Sequence, residues 1–482
     1  MAEQTSAKRV FTGRKIIYTD YDEINESNIV EVLSDAYKVH SGNAYDIEYL
    51  YKYYKGNQDI NLRKKDVRPE ICNKIVDNYA HFIVNFRSGH FLSEDIQYVC
   101  RNGENKDDAV DDVIKLNNFV NVAGKTTSDV ELVKWMFLCG TGYRIILNSN
   151  SDDEEYPFDA YTLDPRSTFV VYSNSIREEP VMGVKIIETS KNGLTEKRFC
   201  CYTKNKYFEV VDDKIVKNTG HILGGIPIVE YPIEKARIGI IELVKDLLDL
   251  KNSLLSNRID SVEQFVQALL VFKGFKLDSE DLEKIKVQSG ISTPDPQNDV
   301  DYITAELNQD QIQSLANYVD DCINKICGIP TRTDGSTSDS SNNKAVVLSY
   351  GWADSETDAE VIEKYFIKSE MQALNIIINI ANATAHTNLK LSDIEIKIPR
   401  TNYDNMLEKS QFFTTMIGSG WVAPEAIYRI CKIFPDPDLA YSQAVKFIKE
   451  QEDKQAEQLE QFNLSEINSA KNELNNAVDG EE

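Results

Sequence analysis

The sequence predicts an α+β protein of several parts, and three observations carry that expectation. One stretch, Ile240 to Lys273, contains neither Pro nor Gly and places its apolar residues at helical spacing. A second block, from Gly140 to 235, instead alternates short runs rich in β-branched and aromatic residues with turn clusters, as an antiparallel sheet does. The chain is also 482 residues long, whereas a single hydrophobic core stops growing near ~250 to 300 residues, so it must divide.

In order, residues 1–26 are polar and expected to be flexible. From Ser27 the spacing predicts helices over NIVEVLSDAYKVH and DIEYLYKYYKGN, then a stronger one from Pro69 through PEICNKIVDNYAHFIVNF. Pro69 suits a first helical turn, where its missing N–H would be unpaired anyway. Two more helices are predicted at Asp107–Phe119 and Ser128–Leu138. Strands follow at YRIILN (143), FDAYTL (158), STFVVYS (167), PVMGVKIIE (180), KRFCCYT (197), YFEVV (207) and IPIVEYP (226).

The long helix carries Ile240, Val244, Leu247, Leu248, Leu254, Leu255, Ile259, Val262, Val266, Leu269 and Leu270 on one face. Its other face holds Glu242, Asp246, Asp249, Asn252, Ser256, Asn257, Asp260 and Gln264, expected to meet water. At 1.5 Å per residue it would reach roughly 50 Å, too long for one compact core. Gly274 opens a small mixed segment, with Asp278 placed to cap a short helix and a strand at VDYITAEL. A second amphipathic helix, Asp310–Cys327, carries Ile312, Leu315, Ala316, Val319, Ile323 and Ile326. Two long helices thus flank a small insertion.

Residues 331–344, TRTDGSTSDSSNNK, hold no apolar side chain and read as a loop. Helical pattern returns at Ala345 and becomes apolar all round near ALNIIINIA, as in a helix enclosed by neighbours. A strand at DIEIKI, three short helices over 400–450 and a polar tail complete the chain.

The charge is −25, from 53 Lys and Arg against 78 Asp and Glu, which sets up a field that repels a polyanion and excludes tight static DNA binding. Eight cysteines show no C-x-x-C spacing and read as reduced, buried residues. No run reaches the ~18 apolar residues of a membrane span, so a soluble protein without membrane contact is expected. Five scattered histidines give no metal-ligand spacing, and no metal or other cofactor is expected. Gly124-Lys125-Thr126 imitates the end of a phosphate loop, but Phe119 stands where that loop needs Gly. Acidic pairs such as Asp320-Asp321 lie in polar runs, Arg63-Lys64-Lys65 reads as a solvated turn, and no catalytic residue is predicted. The alternatives are a metal-dependent nucleotidyl or hydrolytic enzyme using Asp320 or Asp321, and a monomeric helical scaffold or adaptor.

Several stretches occur together in a recognisable order: YKYYKGN (51–57), NKIVDNYAHFIVNFRSGHFL (73–92), LDPRSTFVVYS (163–173), GIIELVKDLLDLKNSLLSNRIDSVEQFVQALLVFKG (239–274), CGIPTRTDGSTSDSSNNKAV (327–346) and SGWVAPEAIYRICKIFPDPD (419–438). In that order the chain resembles the portal protein, or head-to-tail connector, of tailed double-stranded DNA bacteriophages of the siphophage type. The resemblance implies a wing at 27–238, stem helices at 239–273 and 309–327, and a clip at 274–308. It implies a tunnel loop within 328–344, a long helix with a returning wing strand at 345–399, a crown at 400–450 and a tail at 451–482.

It further implies a dodecameric ring at the unique capsid vertex of the virion, assembled in the host cytoplasm, through which DNA is packaged and ejected without sequence specificity. Partners would be the terminase large subunit, the head-tail adaptor or neck protein, and the major capsid and scaffold proteins. The DNA-facing loop would be Thr331, Arg332, Thr333, Asp334, Gly335, Ser336, Thr337, Ser338, Asp339, Ser340, Ser341, Asn342, Asn343 and Lys344. Arg332 and Lys344 are its only basic residues. Asp246, Asp249, Asn257, Asp260 and Gln264 would line the channel. Twelve copies carry 12 × −25 = −300 formal charges, and a wall poor in cations lets a duplex slide, because each cation over a phosphate adds affinity through counterion release.

Overall fold

A computed structural model describes residues 10–101, 107–149, 156–191, 194–266, 269–273, 299–303, 309–330, 341–400, 406–431 and most of 433–458. It contains two compact units: Met1–Leu92 with Asn121–Ala385, and Ser93–Val120 with His386–Glu482. The boundary therefore cuts inside the predicted 27–238 wing.

The first unit is built on a six-stranded sheet ordered β1-β5-β6-β7-β8-β9: Ile17–Thr19, Thr168–Ser173, Pro180–Lys191, Leu194–Tyr202, Lys206–Val211 and Lys214–Gly220. All neighbours are antiparallel except β1, which runs parallel to β5. Helix α1, Ile29–Tyr54, lays Ile29, Val32, Leu33 and Ala36 onto Phe169, Val171, Met182, Val184 and Phe208 of that sheet. Two helices were expected here; Gly42 has open space around it and does not interrupt the turn. A three-stranded sheet places β3, Thr141–Asn148, between β10, Ile228–Pro232, and β4, Phe158–Leu163.

Helix α2 is Tyr79–Phe91 and α4 is Lys125–Cys139. Gly140 ends α4 at φ +81°, where a Cβ would lie 2.1 Å from the Arg237 carbonyl, so only Gly fits. Helix α5 is Ile240–Val266, α6 is Gln309–Ile326 and α7 is Ser341–Thr384. The apolar half of α7 is enclosed as expected: Ala373, Leu374, Ile376, Ile377, Ile380 and Ala381 are all buried.

Five buried polar side chains knit this unit together. Lys125 Nζ lies 2.9 Å from both Asp129 Oδ1 and Glu370 Oε1, Arg144 bonds Glu370 at 3.0 Å and also Asp129, and the Tyr231 hydroxyl donates to Glu370 at 2.6 Å. The phosphate-loop look-alike is thus an internal ion cluster that ties α7 to α4, β3 and β10. Removing one member of such a cluster strands an opposite charge in the core and costs about 3 to 5 kcal/mol.

In the second unit β2, Gln97–Cys100, pairs antiparallel with β13, Ile394–Lys397. Asn117 of α3, Asp107–Val122, donates to the Tyr98 carbonyl at 2.8 Å and accepts its N–H at 3.3 Å. Helices α8, Met406–Ser419, and α9, Pro424–Cys431, precede a helix across 440–456. Phe413, Tyr428, Phe434 and Tyr441 pack ring to ring between them.

Four expectations are corrected. No helix starts at Pro69; residues 72–78 belong to no helix or strand and the helix begins at Tyr79. The long helix stops at Val266, a length of roughly 40 Å, and LLVFK is strand β11, Leu269–Lys273, antiparallel to β12, Asp299–Ile303. The sheet expected after Gly140 is two sheets, and the six-stranded one takes in the unforeseen β1 and β9 at its edges. Helix α7 begins at Ser341, four residues before the predicted start. The predicted Asp278 cap lies outside the described residues.

Candidate functional site

The hairpin of α5 and α6 is where the sequence concentrates amphipathic helix, and one row of its polar face, Asn252, Ser256 and Asp260, is not solvated. The extended segment 73–77 runs antiparallel along it. The Asn73 amide donates to Asp260 Oδ1 at 2.8 Å, the Ile75 amide to Ser256 Oγ at 3.0 Å, and the Asp77 amide to Asn252 Oδ1 at 2.9 Å. The periods match: four helical residues rise ~6.0 Å and two extended residues ~6.6 Å, so three rungs form in register. Asn252, Ser256 and Asp260 are buried in consequence.

Two cations close the end of this ladder. Arg63 lies 3.0 Å and Lys65 2.7 Å from Asp260 Oδ2, and Arg63 also bonds Asn257. Burial pushes the Asp260 carboxyl up, but the Lys65 ammonium, both Asn73 nitrogens and the Arg63 guanidinium outweigh it and hold the pKa at about 2. Two residues of the basic cluster read as a solvated turn, Arg63 and Lys65, therefore clamp the buried Asp260, and the helix predicted from Pro69 gives way to a strap whose amides α5 captures.

The two helices are joined at Lys251. Its ammonium lies 2.9 Å from Asp77, 2.6 Å from Asp320 and 3.9 Å from the centre of the Tyr79 ring. Burial lowers the Lys251 pKa, yet the Asp320 and Asp77 carboxylates override it and the net shift is upward. The Tyr79 hydroxyl donates to Asn324 of α6 at 2.7 Å. Asp320, a residue of the alternative enzyme reading, is thus engaged in an ion pair. Among the described residues no group of three or more metal-ligating side chains forms.

The channel-wall candidates separate. Asp260 is buried inside the subunit and cannot face a channel. Asp249 is partly buried, accepting from the Tyr53 hydroxyl at 2.8 Å and pairing with Lys245 at 2.6 Å. Asp246, Asn257 and Gln264 are exposed. The apolar stripe divides as well: Ile240, Val244 and Leu248 are buried, while Ile259 and Val262 are 42% and 38% exposed. On α6, Val319 and Ile323 are buried whereas Leu315, Tyr318 and Ile326 stay open. Of the predicted DNA-facing loop, 331–340 lie outside the described residues and Ser341–Lys344 form the first turn of α7.

This geometry defines a multi-part subunit with a braced two-helix hairpin, and comparison with known proteins places it. The sequence pattern of the family described as "Phage portal protein, SPP1 Gp6-like" matches residues 37–458, most of the chain, and the chain belongs to that family. It therefore has a portal function, as a structural component of a phage particle, and membership implies an oligomeric ring at a phage vertex. A solved structure described as the neck of an empty GTA particle computed with C6 symmetry is similar at 12% identity and a TM-score of 0.39, over 74% of this chain and 90% of that one. No curated protein matches the sequence. No helix among the described residues is long and apolar enough to cross a membrane.

Proposed function

We propose that twelve copies form the ring with neighbouring stem hairpins in contact, making a conduit for packaging and ejection of double-stranded DNA. The observation that carries this reading is the inverted stem: Asn252, Ser256 and Asp260 are satisfied within the subunit, while Ile259, Val262, Leu315, Tyr318 and Ile326 remain open. Apolar side chains arrayed on two helices of one hairpin are best covered by the same hairpin of a neighbour. In this reading Asp246, Asn257 and Gln264 are wall residues, 331–344 faces DNA, and 274–308 docks the terminase large subunit and the head-tail adaptor. Major capsid and scaffold proteins meet the ring from outside, during assembly in the host cytoplasm.

Mass photometry of the purified chain is expected to give a discrete ring mass; a monomer at every salt concentration would overturn the reading. Deleting Thr333–Asn342 should leave the ring intact and impair DNA packaging or retention. Loss of the ring on that deletion would make the segment a subunit contact instead.

A further inference from the structure

Helix α6 ends in a closed motif. Gly328 adopts φ +61°, the Ile329 amide returns to the Asn324 carbonyl at 2.8 Å, and the Gly328 amide points to the Lys325 carbonyl at 3.4 Å. This is the Schellman arrangement, which satisfies earlier carbonyls and leaves those of Cys327 and Gly328 looking outward. Both are taken by one side chain from α2: Arg87 Nη1 donates to Cys327 O at 3.1 Å and to Gly328 O at 3.4 Å. The other arm of the same guanidinium bonds the Asp358 carboxylate of α7. Ser355 of α7 donates to the Gly328 carbonyl, and Trp352 packs on Phe86 and His90 of α2.

Arg87 is only 1% exposed and has the Phe137 ring 5.6 Å from its guanidinium carbon. A buried cation is stable there because it meets the negative end of a helix dipole and a carboxylate together. Only a planar fork reaches both, which a lysine ammonium cannot do. Gly328 is part of the fit, since a Cβ there would come within 2.6 Å of Arg87 Nη1.

The end of α6 and the 355–358 turn of α7 are therefore held at one point on α2. We propose that Arg87 is the positioning residue of the DNA-facing segment, fixing the described chain on either side of it, the end of α6 and the 355–358 turn of α7, on α2. This rests on the reading above that 331–344 faces DNA.

The test uses the full chain assembled as rings, comparing wild type with Arg87→Gln and Arg87→Lys by hydrogen–deuterium exchange and by DNA retention in packaged particles. Arg87→Gln is expected to speed exchange of the amides of 327–329 and 355–358 by at least about tenfold, the loss of charged hydrogen bonds, with the six-stranded sheet unchanged and DNA retention reduced. Arg87→Lys should fall between the two.

Unchanged exchange at both 327–329 and 355–358, or an equal rise throughout the sheet, would overturn the proposal, as would loosening of these segments with wild-type DNA retention. Should Arg87→Gln fail to fold, Asp358→Asn and Ser355→Ala each remove one contact and should loosen 327–329 in the same way; no loosening in either overturns it. The exchange readout needs no DNA, so wild-type rings that fail to retain DNA would sink the proposed function and not the joint.

Discussion

The two halves of α5 solve opposite problems. From Ile240 to Lys251 the helix behaves as its pattern dictates, burying Ile241, Val244 and Leu248 in the first unit. From Asn252 to Val266 it buries Asn252, Ser256 and Asp260 and leaves Ile259 and Val262 open. The difference shows that amphipathic spacing defines two faces without saying which is internal. Backbone amides of an extended strap can satisfy a polar face as well as apolar side chains satisfy an apolar one, and the apolar face is then left open.

Breaking the first half should have the largest effect. Ile241→Ala removes a fully buried side chain and should cost about 2 to 5 kcal/mol in urea unfolding, with ring formation lost along with the fold.

Acid separates the two regions next. His40 of α1 is buried, stacked on Phe169 at 4.5 Å, with Nε2 3.1 Å from the Arg166 carbonyl, and burial pushes its pKa down to about 4. The unfolded chain protonates it near 6.5, so it binds the proton first, and stability present above ~6.5 falls as pH drops toward 4, by on the order of 3 kcal/mol. Asp260 is lowered to about 2, so its contribution is present above ~3.9 and is lost only as pH falls through 2. The wing sheet should therefore loosen at a pH where the stem ladder still holds. Exchange of amides 73–77 faster than those of β5 at pH 5 would refute that order.

Within the second half the effects shrink. Asp260→Ala leaves Arg63 and Lys65 without their carboxylate and should cost about 2 kcal/mol, whereas Ser256→Ala strands one amide and should cost about 1 kcal/mol. Smallest is Ile259→Ser with Val262→Ser, which should change unfolding by no more than about 0.5 kcal/mol yet weaken the ring. A large loss of subunit stability in that pair would mean that the open face is internal after all.

Much of this architecture was legible in the sequence. Strands β3 to β8 and β10 announced themselves through β-branched and aromatic runs, and α4, α6 and the enclosed end of α7 through spacing. β9, KIVKNTG, is almost wholly exposed and carries no alternation to read. The run LLVFK could extend a helix or start a strand, and its pairing with DVDYI decided it. The ladder was invisible because its two sides are separated by some 180 residues, and Asn252, Ser256 and Asp260 look like any solvated face until Asn73, Ile75 and Asp77 are set against them. Arg87 gave no signal either, since one arginine among the apolar residues of α2 does not reveal that two carbonyls and a carboxylate converge on it.

The inverted stem is tested most directly by site-resolved thiol labelling of Ile259→Cys and Ser256→Cys, in dissociated subunits and in assembled rings, read by peptide mass spectrometry. Position 259 should label readily in the free subunit and become protected in the ring, while position 256 stays protected in both. Fast labelling at 256 in the free subunit, or equal labelling of 259 before and after assembly, would contradict the account.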